Sequence, residues 1–318
     1  MSQTQSRSAI VLLVGALGLL PLAFASGYQL FQLTLVVAYA LSVMGKNLVT
    51  GYGGQVSLGQ GAFYAVGAYT AAILMEHFAV PYWATLPVAA VITGIVGLGL
   101  GLPALRLGGL YLALVTFAMA VAVPQLLKYK LFEGWTGGVQ GIVLMKPDAP
   151  FGLPLDPDQW VYLFTLVVGV ALFLTAVNLV NSRIGLALMA IRDQPLAAEA
   201  MGVDLARYKT ITFGVGALYT GIGGALGAIA VGFVSPDSFT IALSLSLFVG
   251  MVIGGAASIS GAVYGALFIV FMPNFAEQIS KAVPGAIFGV ILILFMFFAP
   301  GGIAAVLAAQ VRRLRSVR

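Results

Sequence analysis

An all-α, polytopic integral membrane protein is the fold class this sequence predicts, and three observations predict it. Ten stretches are apolar over about the 20 residues that a bilayer-crossing helix needs. Charged residues make up only 8% of the 318, against about 25% in ordinary globular domains, while 61% are hydrophobic. The 40 glycines lie inside the apolar runs rather than among serines and prolines, as in closely packed membrane helices. A single water-surrounded core could not hide this much apolar surface, so lipid takes the place of solvent. The chain, 1–318, reads as one transmembrane domain.

In chain order the runs fall at 9–25, 28–50, 55–75, 83–103, 109–127, 160–180, 210–232, 241–258, 261–275 and 284–300. The eighth and ninth are short and separated only by "SIS", so they are either two spans or one broken span, and the count is ten or nine. The first follows a basic start and ends in "AFA" at 23–25, the pattern of a signal-peptide cleavage site. We read it as retained, because the next span follows at once. Orientation rests on the basic residues. A cytoplasmic N-terminus puts Arg7, Lys46, Arg106, Arg183, Arg192, Arg207, Lys209 and the basic tail, 304–318, inside. Only Lys128, Lys130, Lys146 and Lys281 then lie outside, and the C-terminus is cytoplasmic as well. Tyr82, Trp83, Trp160 and Tyr162 fall at outer span starts, as belt aromatics do. Two loops are long: 128–159, external and rich in Pro, Gly and Asp, and 181–209, internal.

Several chemistries are excluded or disfavoured. No G-x-x-x-x-G-K-[ST] occurs, so no phosphate loop binds nucleotide here. There is no cysteine, hence no disulfide or thiolate, and the single histidine, His77, reads as a polar cap at a span end rather than a metal ligand. We expect no metal, no cofactor and no nucleic-acid partner; the net charge of +5 is a topology signal in a lipid-embedded chain. All ten carboxylates fall in loops or at span ends, whereas proton-coupled carriers keep titrating groups within the membrane. The chain is expected to own no buried titrating group and no catalytic pair, and so to be no enzyme. Its energy source is external, or its transport is passive.

The stretch "NLVTGYGGQVSLGQGAFYAVGAYTAAIL", 47–74, carries glycines, amides and hydroxyls at membrane depth. The glycines around 51–54 are expected to break one helix, with Gln55, Ser57 and Gln60 crowding the first turns of the next. There, free N–H groups can face a carboxylate. Gln55, Ser57, Gly59, Gln60 and Tyr64 are candidates to line or brace a substrate path, and Ser258 joins them from the related run "GGAASISGAVYGAL" at 254–267. Both runs read Gly-Gly-x-x-Ser and then Gly-Ala, a hint of internal duplication. Gly97/Gly101, Gly223/Gly227, Gly250/Gly254 and Gly261/Gly265 have the G-x-x-x-G spacing of close helix contacts.

In the internal loop, Asp193 and Gln194 precede Pro195, which suits a first helical turn. "PLAAEAM" is a short helix, Gly202 its stop, and Asp204 the cap of a helix that re-enters the membrane through Arg207 and Lys209. A short helix bounded by charges is either a handle for a cytoplasmic partner or a plain connector.

Four runs, "GYGGQVSLGQGAFYAVGAYTAA", "IRDQPLAAEAMGVDLARYK", "GGAASISGAVYGA" and "PGGI" at 300–303, resemble the permease subunits of branched-chain amino-acid ABC transporters. The similarity extends over about 47–303 and is greater to the M-type than to the H-type of the two sister permeases. It implies a heterodimer with an H-type permease, two cytoplasmic ABC ATPases, a periplasmic or other extracytoplasmic substrate-binding protein, and a bacterial inner membrane. It also implies that the ATPase-coupling segment falls on Asp193, Pro195, Glu199, Ala200, Gly202 and Arg207. The expected activity is import of leucine, isoleucine or valine by alternating access. Urea-type ABC permeases share much of the pattern, and a passive channel or a secondary carrier are the rival classes.

Overall fold

The computed structural model describes residues 16, 18–106, 109–279, 284–299 and 301–316. Ser26 and Gln29 form a capping box, each side chain bonded to the other's backbone N–H, and start helix α1, Gly27–Lys46. The chain then winds on as a π-helix, Asn47–Tyr52, before leaving helical geometry over 53–59. Helices α2 (Gln60–Phe78), α3 (Tyr82–Arg106), α4 (Leu110–Leu127) and α5 (Pro157–Val180) follow. Next come α6 (Arg183–Asp193), α7 (Pro195–Ala200), α8 (Leu205–Val231), α9 (Ile241–Gly254), α10 (Ile259–Ile279), α11 (Pro284–Phe298) and α12 (Gly302–Ser316). Among the described residues, six helical stretches are long and apolar enough to cross a membrane: Gly27–Tyr52, Tyr82–Gly101, Leu110–Leu127, Pro157–Val180, Leu205–Val231 and Ile259–Gln278. The chain is therefore an all-helical, multi-pass membrane protein.

Most predicted runs coincide with helices, two readings need revision, and one left open is resolved. The run at 55–75 starts its helix only at Gln60, because the preceding residues, 54–59, adopt no regular structure. The runs at 241–258 and 261–275 are two helices, α9 and α10, parted at 255–258. At 14 residues α9 is only about 21 Å long, short of the roughly 30 Å apolar layer. Residues 183–193, expected as loop, form the 11-residue helix α6. The run at 9–25 lies largely outside the described residues.

Helix α8 is the axis of the bundle, packed against α1, α2 and α3. It can be central because it is glycine-studded: Gly216 abuts Gly45, Gly221 abuts Gly67, and Gly224 meets the backbone of Tyr64. A Cβ at any of these would collide with facing backbone or buried side chain, so the close approach depends on glycine. All four G-x-x-x-G pairs make such contacts. Gly97 and Gly101 meet Ala217 and Thr210, Gly223 and Gly227 meet Ser42 and Tyr64, and Gly250/Gly254 face Gly265/Gly261 across the α9–α10 hairpin.

The turns sort onto two ends. At one end Ile142–Val143 (β1) pairs antiparallel with Phe233–Val234 (β2), Lys128 pairs with Asp237, and Lys146 with Asp158 at 2.7 Å. There too Trp160 Nε1 donates to Tyr82 Oη at 3.0 Å, and His77 Nε2 donates to the Trp135 carbonyl at 3.0 Å. At the other end lie the π-helix, the 53–59 segment, α6, α7 and the 255–258 break.

Candidate functional site

The second end is where the chemistry-bearing residues meet. Asn47, on the π-helix, grips the 255–258 break: Nδ2 donates to the Ser258 carbonyl at 2.7 Å, and Oδ1 accepts the Ala257 N–H at 2.7 Å. Arg192, near the end of α6, sends Nη1 to the Gly51 carbonyl at 3.0 Å, and its stem lies against Gly54. Gln55 donates to the Lys209 carbonyl at 3.2 Å. The two glycine-rich runs and the loop are thus one connected unit, with a cavity of about 120 Å³ between them, lined in part by Gly54, Gln55, Gly109, Arg192, Pro195 and Lys209.

One expectation fails here. Lys46, assigned to the cytoplasmic edge, is fully buried: its amine donates to the Ser57 carbonyl and sits 4.8 Å from the centre of the Phe248 ring. Among the described residues no carboxylate pairs with it. The chain therefore does own a buried titratable side chain. The reason is local. Because the helix runs on past Lys46 as a π turn, that residue stays within the bundle, whereas a count of basic residues between apolar runs places it at a helix end. π segments concentrate at functional sites.

The candidate path residues are largely interior. Gln55, Ser57, Gln60 and Tyr64 are buried, Gly59 also, and Ser258 is half-buried. Gln55 and Ser57 stand on the irregular segment before α2 rather than in a first helical turn. The N-terminal backbone of α2 is engaged: the Gly61 N–H donates to Ser244 Oγ at 2.9 Å, and just before it the Leu58 N–H donates to Thr116 Oγ1 at 2.8 Å. Gln60 Oε1 accepts from Thr220 at 2.9 Å, while its Nε2 has no partner among the described residues. Tyr64 stacks on Tyr39, ring centres 5.7 Å apart.

The candidate coupling residues surround α7. Gln194 takes the N-cap position, with Pro195 first in the helix. Asp193 instead closes α6, where its carboxylate accepts from Arg192 Nε at 2.8 Å. That hydrogen bond, with the guanidinium charge, holds the Asp193 carboxyl below the usual aspartate range. The contribution of the pair is complete above the unfolded value near 3.9 and is lost as pH falls through the lowered one, so it is constant at neutral pH. Gly202 ends the α7 turn at φ 84°, where its N–H bonds to Glu199 and that of Val203 to Ala198, and Asp204 caps α8 through the Arg207 N–H at 3.0 Å. Ala198 is buried, while Leu196 and Met201 are 81% and 84% exposed. Glu199, Ala200 and Arg207 are exposed beside them. Sequence reasoning missed Asn47 and Arg192. The available signals were a lone amide at the end of an apolar run and a basic residue directly before Asp193.

A family model described as "Branched-chain amino acid transport system / permease component" matches residues 28–299. The chain is 30% identical to the high-affinity branched-chain amino acid transport system permease protein LivM of Escherichia coli, over 88% of this chain and 70% of that one. It is 23% identical to the corresponding permease protein BraD of Pseudomonas aeruginosa, over 85% of this chain and 92% of that one. Identity to Escherichia coli LivH is 24%, over 80% of this chain and 85% of the relative. No solved structure matches. With the family model covering all but the two ends, this chain belongs to the permease component family of branched-chain amino acid transport systems.

Proposed function

We infer that the chain is the membrane-embedded permease subunit of an ABC importer for leucine, isoleucine and valine, in a bacterial inner membrane. It pairs with a sister permease of the H-type, receives substrate from an extracytoplasmic binding protein, and is driven by two cytoplasmic ATPases. Ten spans with both termini inside are the topology that fits the basic residues gathered at the α6–α7 end. The chain itself performs no covalent chemistry.

The observation that carries this reading is the α6–α7 unit. It offers partners an exposed apolar pair, Leu196 and Met201, and runs inward through Arg192 to the Gly51 carbonyl. A push on α7 moves α6, and Arg192 passes that motion to the π-helix. Asn47 then carries it to the 255–258 break, and Lys46 carries it to the Ser57 segment. Gln55, Ser57, Gly59, Gln60, Tyr64 and Ser258 brace the path in this scheme, and their bonds exchange as the opening alternates between faces.

Glu199→Lys and Gly202→Pro test the handle in the complete transporter. Proline cannot adopt the φ of 84° at residue 202. Both variants are expected to abolish uptake while inserting normally, as checked by membrane fractionation; wild-type uptake in both would contradict the coupling role. A second reading, a proton-coupled carrier, draws support from one observation only, the buried amine of Lys46. A pH gradient driving uptake through this chain alone would favour it.

A further inference from the structure

The larger cavity does not touch any of the residues discussed as coupling or bracing groups. It is a groove of about 380 Å³ between α1, α9 and α10. Its position follows from glycine packing. Gly250 and Gly265 bring α9 and α10 into backbone contact, and the groove is lined by residues beyond that contact, toward the end carrying the 128–159 loop.

The lining is mixed. Leu35, Leu243, Ile269 and Val270 form apolar walls; Gln32, Tyr39, Ser246 and Asn274 add polar groups. Polar side chains on membrane helices rarely face lipid, because an unsatisfied group there is costly. These four are poorly engaged within the chain. Ser246 makes no side-chain hydrogen bond among the described residues, Gln32 reaches only Tyr28 at 3.1 Å, and Asn274 reaches the Val270 carbonyl at a long 3.5 Å. Pro273, inside α10, also removes the N–H that would have bonded the Ile269 carbonyl. No ionised side chain lines the groove. The Lys146 ammonium lies 5.3 Å from the centre of the Phe31 ring and is already paired with Asp158.

We propose that this groove is the substrate-binding vestibule of the subunit and takes a zwitterionic amino acid with a branched aliphatic side chain. The volume is in the range of about 300–1,000 Å³ typical of small-molecule sites. The Ile269 carbonyl, Asn274 amide and Ser246 hydroxyl supply acceptors for an ammonium; the Tyr39 and Ser246 hydroxyls supply donors for a carboxylate. The walls of Leu243, Ile269 and Val270 accept the aliphatic group. A net-neutral ligand suits a site without fixed charge. Tyr64, stacked behind Tyr39, ties the vestibule to the glycine-rich segment. This assignment rests on the importer reading given above.

The chain has no cysteine, so Ser246→Cys places one reactive thiol in the groove. The test uses the complete transporter in proteoliposomes, with the binding protein and a charged, bulky methanethiosulfonate outside. We expect modification to cut leucine uptake at least tenfold while ATP hydrolysis continues, and loaded binding protein to slow the labelling. Asn274→Leu, without any reagent, is expected to lower uptake about tenfold, the effect of losing one hydrogen bond to a charged group. Modification without loss of uptake overturns the proposal. So does labelling only by a lipid-soluble maleimide, which would mean a lipid-facing surface, or no labelling in the assembled complex, which would mean that the sister permease fills the groove. Absence of ATP-driven leucine uptake by the unmodified wild-type assembly would instead strike the importer reading itself, and this assignment with it.

Discussion

Asn47 holds two separated parts of the chain together with a single amide. Its two bonds of 2.7 Å satisfy the Ala257 N–H and the Ser258 carbonyl, groups that a helix break would otherwise leave unpaired inside the protein. Asn47→Ala removes both partners at once, and each buried group left unpaired costs about 1–3 kcal/mol. We expect a loss of about 2–4 kcal/mol, read as a lowered unfolding temperature of the solubilised protein. Unchanged stability would mean that the break is held by other contacts. Lys46 poses a different problem, since burying an unpaired ammonium costs several kcal/mol. The Phe248 ring and the Ser57 carbonyl offset part of that. Neither residue was legible as a site in the sequence. A lysine and an asparagine after an apolar run read as the end of a span, and only the π turn that follows keeps both inside.

The α9–α10 hairpin and the α6–α7 unit are the elements on which the scheme turns. In the hairpin, a Cβ at Gly254 would press on the Gly261 carbonyl, whereas Gly99 on α3 has no such neighbour within 4 Å. Gly254→Ala is therefore expected to destabilise by about 1–3 kcal/mol, through overpacking, and to splay the hairpin. Gly99→Ala is expected to be neutral, by the same thermal measurement. Equal effects would remove the argument from close packing. Element by element, much was readable beforehand. Capping chemistry at Asp204 and the stop at Gly202 were encoded locally and appear in the structure. G-x-x-x-G spacing named helix faces that do touch. The start of α2 was misplaced because glycines mark where a helix can end but not how far irregular chain continues. Helix α6 was missed because its residues, 183–193, lie between charges that read as loop.

For the molecule as a whole, the decisive feature is that one end gathers the residues proposed for coupling, while the groove lies toward the other. The central helix α8 connects the two, rising from the Asp204 cap beside α7 to the β-ribbon next to the 128–159 loop. Its glycines let α1, α2 and α3 pack closely around it, and the proposed coupling relies on that close packing to pass a displacement along. Composition and apolar runs made the membrane class and most helices legible. They could not show which polar residues point inward, since that depends on contacts between segments some 200 residues apart, such as Asn47 with Ser258. The central claim is that work reaches this subunit from outside it. The most direct test reconstitutes the purified chain alone in proteoliposomes, applies ATP and then a pH gradient, and follows leucine accumulation, with the full assembly run in parallel. The account predicts accumulation only in the full assembly with ATP. Accumulation by the chain alone, abolished by Lys46→Met, would contradict it.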